Sequence, residues 1–350
     1  MSFRWIFRVI SVIIALGLIL CALVLGASVY CNSPPEKPAA APADAMRFEE
    51  DGVLYLEVKS GETAYSVGRR LESAGVIKTR YFWNLLFRLD SEQIKTGTYR
   101  IELPASQLKI RSILISGAQL LVRVMVPEGI TLKKTAQILE EAGICRADQF
   151  LEASSSREIL DTYNIPGPTM EGYLFPDTYF FPLAFPAEKV VSKMADTFFY
   201  RIKEILGGDA DIKELNTRVI IASIVEREYS IADEAPLMAG VFFNRLKIGM
   251  ALQSCATVEY VITEIQGRPH PEVLLNRDLE IRDPYNTYLR PGLPPGPISA
   301  PGAIAIKAAF NPVSSDYLYF RLTDPVTGQH YFSRTLDDHI RAGMLYLKRR

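Results

Sequence analysis

From Val9 to Tyr30 the chain carries no charged residue and is almost wholly apolar. Coiled as a helix, about 20 such residues match the hydrocarbon core of a bilayer, roughly 30 Å thick. The first part of the chain is therefore expected to be a transmembrane helix over residues 9–30. A cleaved export signal is the rival reading. Its apolar region usually runs about 7–15 residues and ends at a small-x-small site, whereas this run is longer and closes on Ser28-Val29-Tyr30. Arg4 and Arg8 precede the run, while Glu36, Asp44, Glu49, Glu50 and Asp51 follow it. Positive residues stay on the cytoplasmic side. The expectation is a cytoplasmic tail over 1–8, a single pass through the inner (cytoplasmic) membrane, and the remainder outside the cytoplasm.

That remainder, in a chain of 350 residues, is long enough for two or three modest domains. Lys and Arg total 39 against 40 Asp and Glu. With no basic stripe interleaved with aromatics, this balance argues against nucleic acid as a partner. Cys21, Cys31, Cys145 and Cys255 share no metal-ligand spacing, and His270, His330 and His339 form no helical metal motif. No Gly-rich phosphate loop is present, so neither a metal nor a cofactor is expected. In an oxidising compartment Cys145 and Cys255 could pair or remain separate buried thiols; the sequence leaves both open.

Ser33–Asp44, rich in Pro and Ala, reads as part of an extended linker over 31–50. A small α/β subdomain is expected over 51–125. It starts with the alternating strand Val53–Val58, then Ser60-Gly61-Glu62-Thr63 leading into a helix over 64–74 closed by Gly75. A second helix is expected over 78–89, a strand over 97–101, a helix over 106–116 and a strand over 120–126. Val126-Pro127-Glu128-Gly129-Ile130-Thr131 repeats the pattern of Val58–Thr63 and leads into a helix over 132–142 closed by Gly143. Any strand-turn-helix unit would look alike, so this is a weak echo and no solenoid. The larger domain, 126–350, is expected to be mixed α+β. Its aromatic-rich stretch 165–182 should be packed irregular structure, with helices over 187–206, 235–247 and 257–263, then a hairpin over 316–333 and a C-terminal helix from about Thr335.

Within this domain the apolar run Ile220–Val225 suddenly acquires Glu226 and Glu228. At about 100° per residue, Ile220, Ile221, Ile224 and Val225 share one arc of a helix. Glu228 falls in the middle of that arc, whereas Glu226 lies on a flank beside Val219, Ala222 and Ser223. A carboxyl held against apolar groups resists ionising, which makes it a usable general acid near neutral pH. An exposed final turn with Glu228 paired to an arginine is the plainer alternative. Asn244, Gln253, Ser254, Thr257, Tyr285, Asn286 and Tyr288 offer the amides, hydroxyls and aromatic faces that a sugar-binding cleft uses. Taken singly, each also fits turn chemistry or core packing.

Six ordered motifs carry a resemblance: Val126-Pro127-Glu128-Gly129, Glu171–Tyr179, Ala222–Glu228, Val241–Leu246, Tyr285–Tyr288 and Gly292–Ile298. With them the chain resembles the endolytic murein transglycosylases, the YceG-like family. The resemblance implies a LysM-like peptidoglycan-binding portion over 51–125 and a catalytic domain over 126–350. It also implies cleavage within glycan strands, between N-acetylmuramic acid and N-acetylglucosamine, leaving 1,6-anhydro ends, in an anchored enzyme that trims or terminates new strands, with cell-wall synthesis proteins as possible partners. It places a functional glutamate in Ala222–Glu228; the arc favours Glu228, with Glu226 the second choice or a supporting carboxylate. Many members have Asp where this chain has Cys255, which puts a second carboxylate there in doubt and fits a one-acid mechanism. A hydrolysing muramidase and a non-catalytic wall-binding scaffold are the competing functions.

Overall fold

In a computed structural model, the structure describes residues 3–35, 46–48, 52–59, 61–90, 92–208 and 212–348. Most of the expected linker, and the first residues of the expected cytoplasmic tail, lie outside them. Helix α1 (Phe3–Asn32) contains the apolar run. Arg8–Asn32 has a mean hydropathy of 3.0 and none of its apolar window is buried within the chain, so this one helix is long and apolar enough to cross a membrane.

The chain divides into two compact units at Leu121/Val122, with Pro182–Ala184 grouped with the first. The first unit holds strands β1 (Met46–Phe48) and β2 (Val53–Val58), helices α2 (Ala64–Ser73) and α3 (Arg80–Arg88), strand β3 (Gly97–Glu102) and helix α4 (Gln107–Ser116). The strands form one antiparallel sheet in the order β1-β2-β3. Alternation in β2 puts Leu54, Leu56 and Val58 into a core with Val67, Leu71 and Trp83 from the helices. Gly68 makes room for that indole, because a Cβ there would collide with the Trp83 ring.

The second unit runs through β4 (Leu121–Met125), α5 (Leu132–Glu141), α6 (Ala147–Ser154), α7 (Arg157–Thr162), β5 (Thr178–Pro182), α8 (Ala187–Leu206) and α9 (Ile212–Glu228). It continues with α10 (Ala235–Lys247), α11 (Cys255–Tyr260), α12 (Asn276–Leu279), α13 (Ala303–Phe310), the hairpin β6 (Tyr319–Asp324) and β7 (Gln329–Ser333), and α14 (Leu336–Lys348). Strands β4 and β5 pair as a second small sheet. The fold is thus mixed α+β.

The echo between the two units extends to local geometry. Gly61 and Gly129 have φ of 76° and 74°, values that favour glycine. Thr63 and Thr131 cap α2 and α5 with side-chain oxygens that accept the Ser66 and Lys134 N–H groups.

Several expectations need correction. Stretch 165–182 contains the regular strand β5, and between the expected helix over 257–263 and the hairpin lies a further helix, α13. Helix α13 was hidden because AIAIKAAF is apolar on most sides and shows no clean amphipathic period. The helix expected over 257–263 begins at Cys255 and passes into a wider π turn at Val261–Ile265. Of the two states the sequence leaves open for Cys145 and Cys255, the structure has separate thiols, Cys145 buried and Cys255 exposed. Finally, the flank assigned to Glu226 is not a free surface. Val219, Ala222 and Ser223 are fully buried, so this stretch of α9 is packed on both sides.

Candidate active site

What covers that second side of α9 is the loop Ile298–Gly302. Ser223 Oγ accepts the Ile298 N–H at 3.0 Å, and Ser299 Oγ donates to the Ser223 carbonyl at 3.0 Å. At its end, the Gly302 N–H donates to Glu226 Oε2 at 2.8 Å. Gly302 is the residue before α13, so Glu226 caps the start of a helix, where a carboxylate is favoured. Burial nevertheless pushes its pKa up to about 7; the Gly302 N–H works against this rise, while the neighbouring Glu128 adds to it.

Glu228 faces elsewhere. It lines a cavity of about 560 Å³ together with Arg245, Gln253, Cys255, Tyr288, Tyr319 and the hairpin residues around them. That volume lies within the range of roughly 300–1,000 Å³ usual for small-molecule sites. Ser254 Oγ donates to Glu228 Oε1 at 2.5 Å. Burial raises the Glu228 pKa, with Glu259 adding to the effect; the Ser254 hydroxyl, the Ala256 N–H and Arg227 pull the other way. The residue as a whole stays partly accessible. A carboxyl reluctant to ionise, with one oxygen held and the residue open to a cavity, is equipped to give up and recover a proton. Arg227, between the two acids, pairs with Glu259 at 2.9 Å, not with Glu228.

The loop that presents Ser254 is fixed by Thr287. The Ser254 N–H donates to Thr287 Oγ1 at 3.1 Å, the Gln253 N–H donates to the Thr287 carbonyl at 3.1 Å, and the Thr257 and Thr287 hydroxyls meet at 2.9 Å. Gln253 takes a φ of 49°, a conformation non-glycine residues rarely adopt. Tyr288 OH lies 3.1 Å from Cys255 Sγ. The surrounding cavity wall partly desolvates both groups and raises both pKa values, keeping phenol and thiol neutral although Cys255 has an exposed surface.

Of the residues singled out from the sequence, Glu228, Gln253 and Tyr288 line the cavity, and Ser254 bonds the acid. The others do not line it. Asn244 donates to the Ser315 and Tyr317 carbonyls at 2.7 and 3.0 Å, holding the approach to the hairpin. Asn286 is fully buried and donates to the Leu279 and Ile281 carbonyls. Tyr285 packs on Tyr260, ring centroids 5.0 Å apart, and Thr257 is buried in the Thr287 network. Sequence reasoning missed Thr287, inside a motif whose other residues were chosen, and missed Arg245, Arg321, His330 and His339 on the cavity wall. Arg245 left a signal: it is a charge in the apolar helix stretch Val241–Leu246.

A further acid, Glu171, is buried away from this cavity. Both of its carboxyl oxygens accept the Leu132 N–H, at 3.2 and 3.1 Å, at the start of α5. Burial pushes its pKa up to about 8.

This scaffold, with its cavity at the end of α9, is that of an established family. The sequence model of the YceG-like family matches residues 56–343, and the chain belongs to that family. Two proteins named endolytic murein transglycosylase, from two strains of Streptococcus pneumoniae, are 28% identical over 82% of this chain. The chain spans 57% of the length of these relatives. A Bacillus subtilis protein of the same name is 29% identical over 84% of this chain and 85% of its own length. The crystal structure of a YceG-like protein from Listeria monocytogenes superposes with a TM-score of 0.55 at 27% identity, covering 83% of this chain and 99% of that one.

Proposed function

We propose that this chain is a membrane-anchored lytic transglycosylase that cuts peptidoglycan strands internally, between N-acetylmuramic acid and N-acetylglucosamine, with Glu228 as its catalytic residue. The observation that carries the reading is the Glu228 carboxyl itself: its pKa raised by burial, fixed by Ser254, and opening on a cavity. The names of the relatives support the substrate class.

Glu228 protonates the bridging oxygen as the leaving sugar departs from an oxocarbenium-like centre. The carboxylate then takes the proton from the muramyl C6 hydroxyl, whose oxygen closes the 1,6-anhydro ring. One group serves as acid and then as base, so its pKa must sit near the working pH. Ordinary glycoside hydrolysis uses two carboxylates. Glu226 is occupied by the Gly302 N–H and does not line the cavity, and Cys255 supplies no second carboxylate.

Helix α1 anchors the enzyme in the cytoplasmic membrane, tail inside and both units outside. The order β2-α2-α3-β3, with β2 and β3 antiparallel, supports a LysM-like, glycan-binding role for the first unit. Such an enzyme, held at the membrane where strands emerge, would trim or terminate them beside the synthesis machinery.

The test is product analysis. Detergent-solubilised protein is incubated with purified peptidoglycan and the fragments are weighed by mass spectrometry. Anhydro ends that vanish with Glu228→Gln and persist with Glu226→Gln are the expected result. Reducing ends would identify a hydrolase, and binding without products a scaffold.

A further inference from the structure

The cavity wall contributed by α10, the hairpin and α14 plays no part in the chemistry above, and its electrostatics are one-sided. Arg245 is buried. Its Nε donates to the Leu318 carbonyl at 2.6 Å, its Nη1 to the Leu252 carbonyl at 2.5 Å, and its guanidinium lies 5.2 Å from the centre of the Tyr319 ring. Arg321, from β6, donates through Nη1 to the His339 carbonyl at 3.2 Å, while its Nε is buried without a partner. The His339 Nδ1 is likewise buried and unpartnered. His330 is occupied, its Nδ1 lying 2.8 Å from Glu234.

All four of these side chains line the same cavity as Glu228. Among the described residues, neither Arg245 nor Arg321 is within ion-pair distance of a carboxylate. Glu228 is the carboxyl that shares their cavity and its charge acts on Arg245, but one carboxyl reluctant to ionise does not balance two guanidiniums, and an unsatisfied buried donor adds to the cost. The fold nonetheless makes room for the arrangement. Gly343 on α14 faces the Arg321 guanidinium, and a Cβ there would collide with it. Guanidinium forks match planar carboxylates with paired hydrogen bonds.

We infer that Arg245 and Arg321 form an anion subsite beside Glu228 that takes a carboxylate of the peptide stem carried on the lactyl group of the muramyl residue. This rests on the proposed function, since it identifies the substituent that orients the sugar whose bond is cut. The apolar faces of Tyr319, Phe320 and Leu322, which share the cavity, would flank the stem rather than the charge. Arg321 is the residue to probe, because Arg245 also ties α10 to two loop carbonyls and its loss would disturb the scaffold.

The experiment uses the full chain in detergent and three glycan substrates: strands with free stem carboxylates, strands with amidated stems, and strands stripped of stems. Wild type is expected to favour the free carboxylates by roughly 10- to 100-fold in kcat/KM. Arg321→Gln should collapse that ratio towards one, and Arg321→Lys should restore part of it. Binding of a soluble muramyl peptide, measured by calorimetry, gives a readout independent of turnover; amidation should weaken it by the same factor. Equal handling of the three strands by wild type, or equal binding of the amidated and free peptides, overturns the subsite while leaving the proposed reaction intact. Preferential binding of the free peptide with no strand cut would retain the subsite and sink the reaction.

Discussion

Glu226 and Glu228 sit on one helix, two positions apart, yet their surroundings assign them different work. Glu226 looks onto the loop Ile298–Gly302, where a backbone N–H ends its search for a partner. Glu228 looks onto an open cavity, where a hydroxyl holds one oxygen and the residue keeps part of its surface accessible. Burial raises both pKa values. A perturbed carboxyl is therefore not enough to mark a catalytic group; what separates the two is access to space a substrate can enter.

The largest expected effect breaks the pair apart directly. Glu228→Gln should lower turnover by about 10³-fold or more, the scale of a lost acid-base group, with the melting temperature unchanged or raised. Glu226→Gln in the same assay should retain activity within about tenfold. Equal losses from the two would erase the distinction.

Glu171 sharpens the comparison by supplying a buried acid outside that cavity. Its folded pKa of about 8 lies above the ordinary carboxyl value of 4.5. Between those values the folded state holds a proton that the unfolded state has released. Stability is therefore full below about pH 4.5 and is lost as pH rises towards 8. Glu171→Gln should flatten that slope, with a gain of at most about 5 kcal/mol at pH 9 in denaturant titrations. An unchanged slope would remove Glu171 as its source.

Ser254→Ala addresses the acid from its partner's side. The Ser254 hydroxyl stabilises the carboxylate, so its loss should raise the Glu228 pKa further and move the alkaline limb of the kcat/KM profile to higher pH. Activity at the optimum should fall about tenfold. A limb displaced to lower pH would contradict the hydrogen bond as described.

The smallest effect belongs to the cap. Glu226→Ala should cost about 1 kcal/mol of stability, as lost helix caps do. A loss comparable with that of a core cavity would mean that the acid holds more than the start of α13.

The apolar helix α1 was legible from its uncharged length, and α9 from its apolar arc. The two Gly-Thr turns were legible because a positive φ and a capping hydroxyl leave fixed residue types behind. The asymmetry between the acids was legible only in part: the arc placed Glu228, but the loop that buries the Glu226 side arrives from some 75 positions further along the chain. Long-range closure also hid the cavity wall. Arg321 and His339 belong to a strand and a helix that look ordinary alone, and nothing local announces that they meet. Amides suit sugars, which makes Asn244 and Asn286 read as sugar ligands, yet buried amides suit stray carbonyls equally well, and here both serve backbone.

Glu226 also carries a consequence for anyone titrating this protein. With Glu128 close by and a midpoint near pH 7, it is a decoy: it will release a proton near neutrality, and Glu228, whose pKa is also raised, is not the sole source of any titration seen there. Bulk proton counts and thermal scans will register that release whether or not a sugar chain is present. Curves of stability and of rate that happen to coincide would then report two different carboxyls, and only a Glu226→Gln background tells them apart.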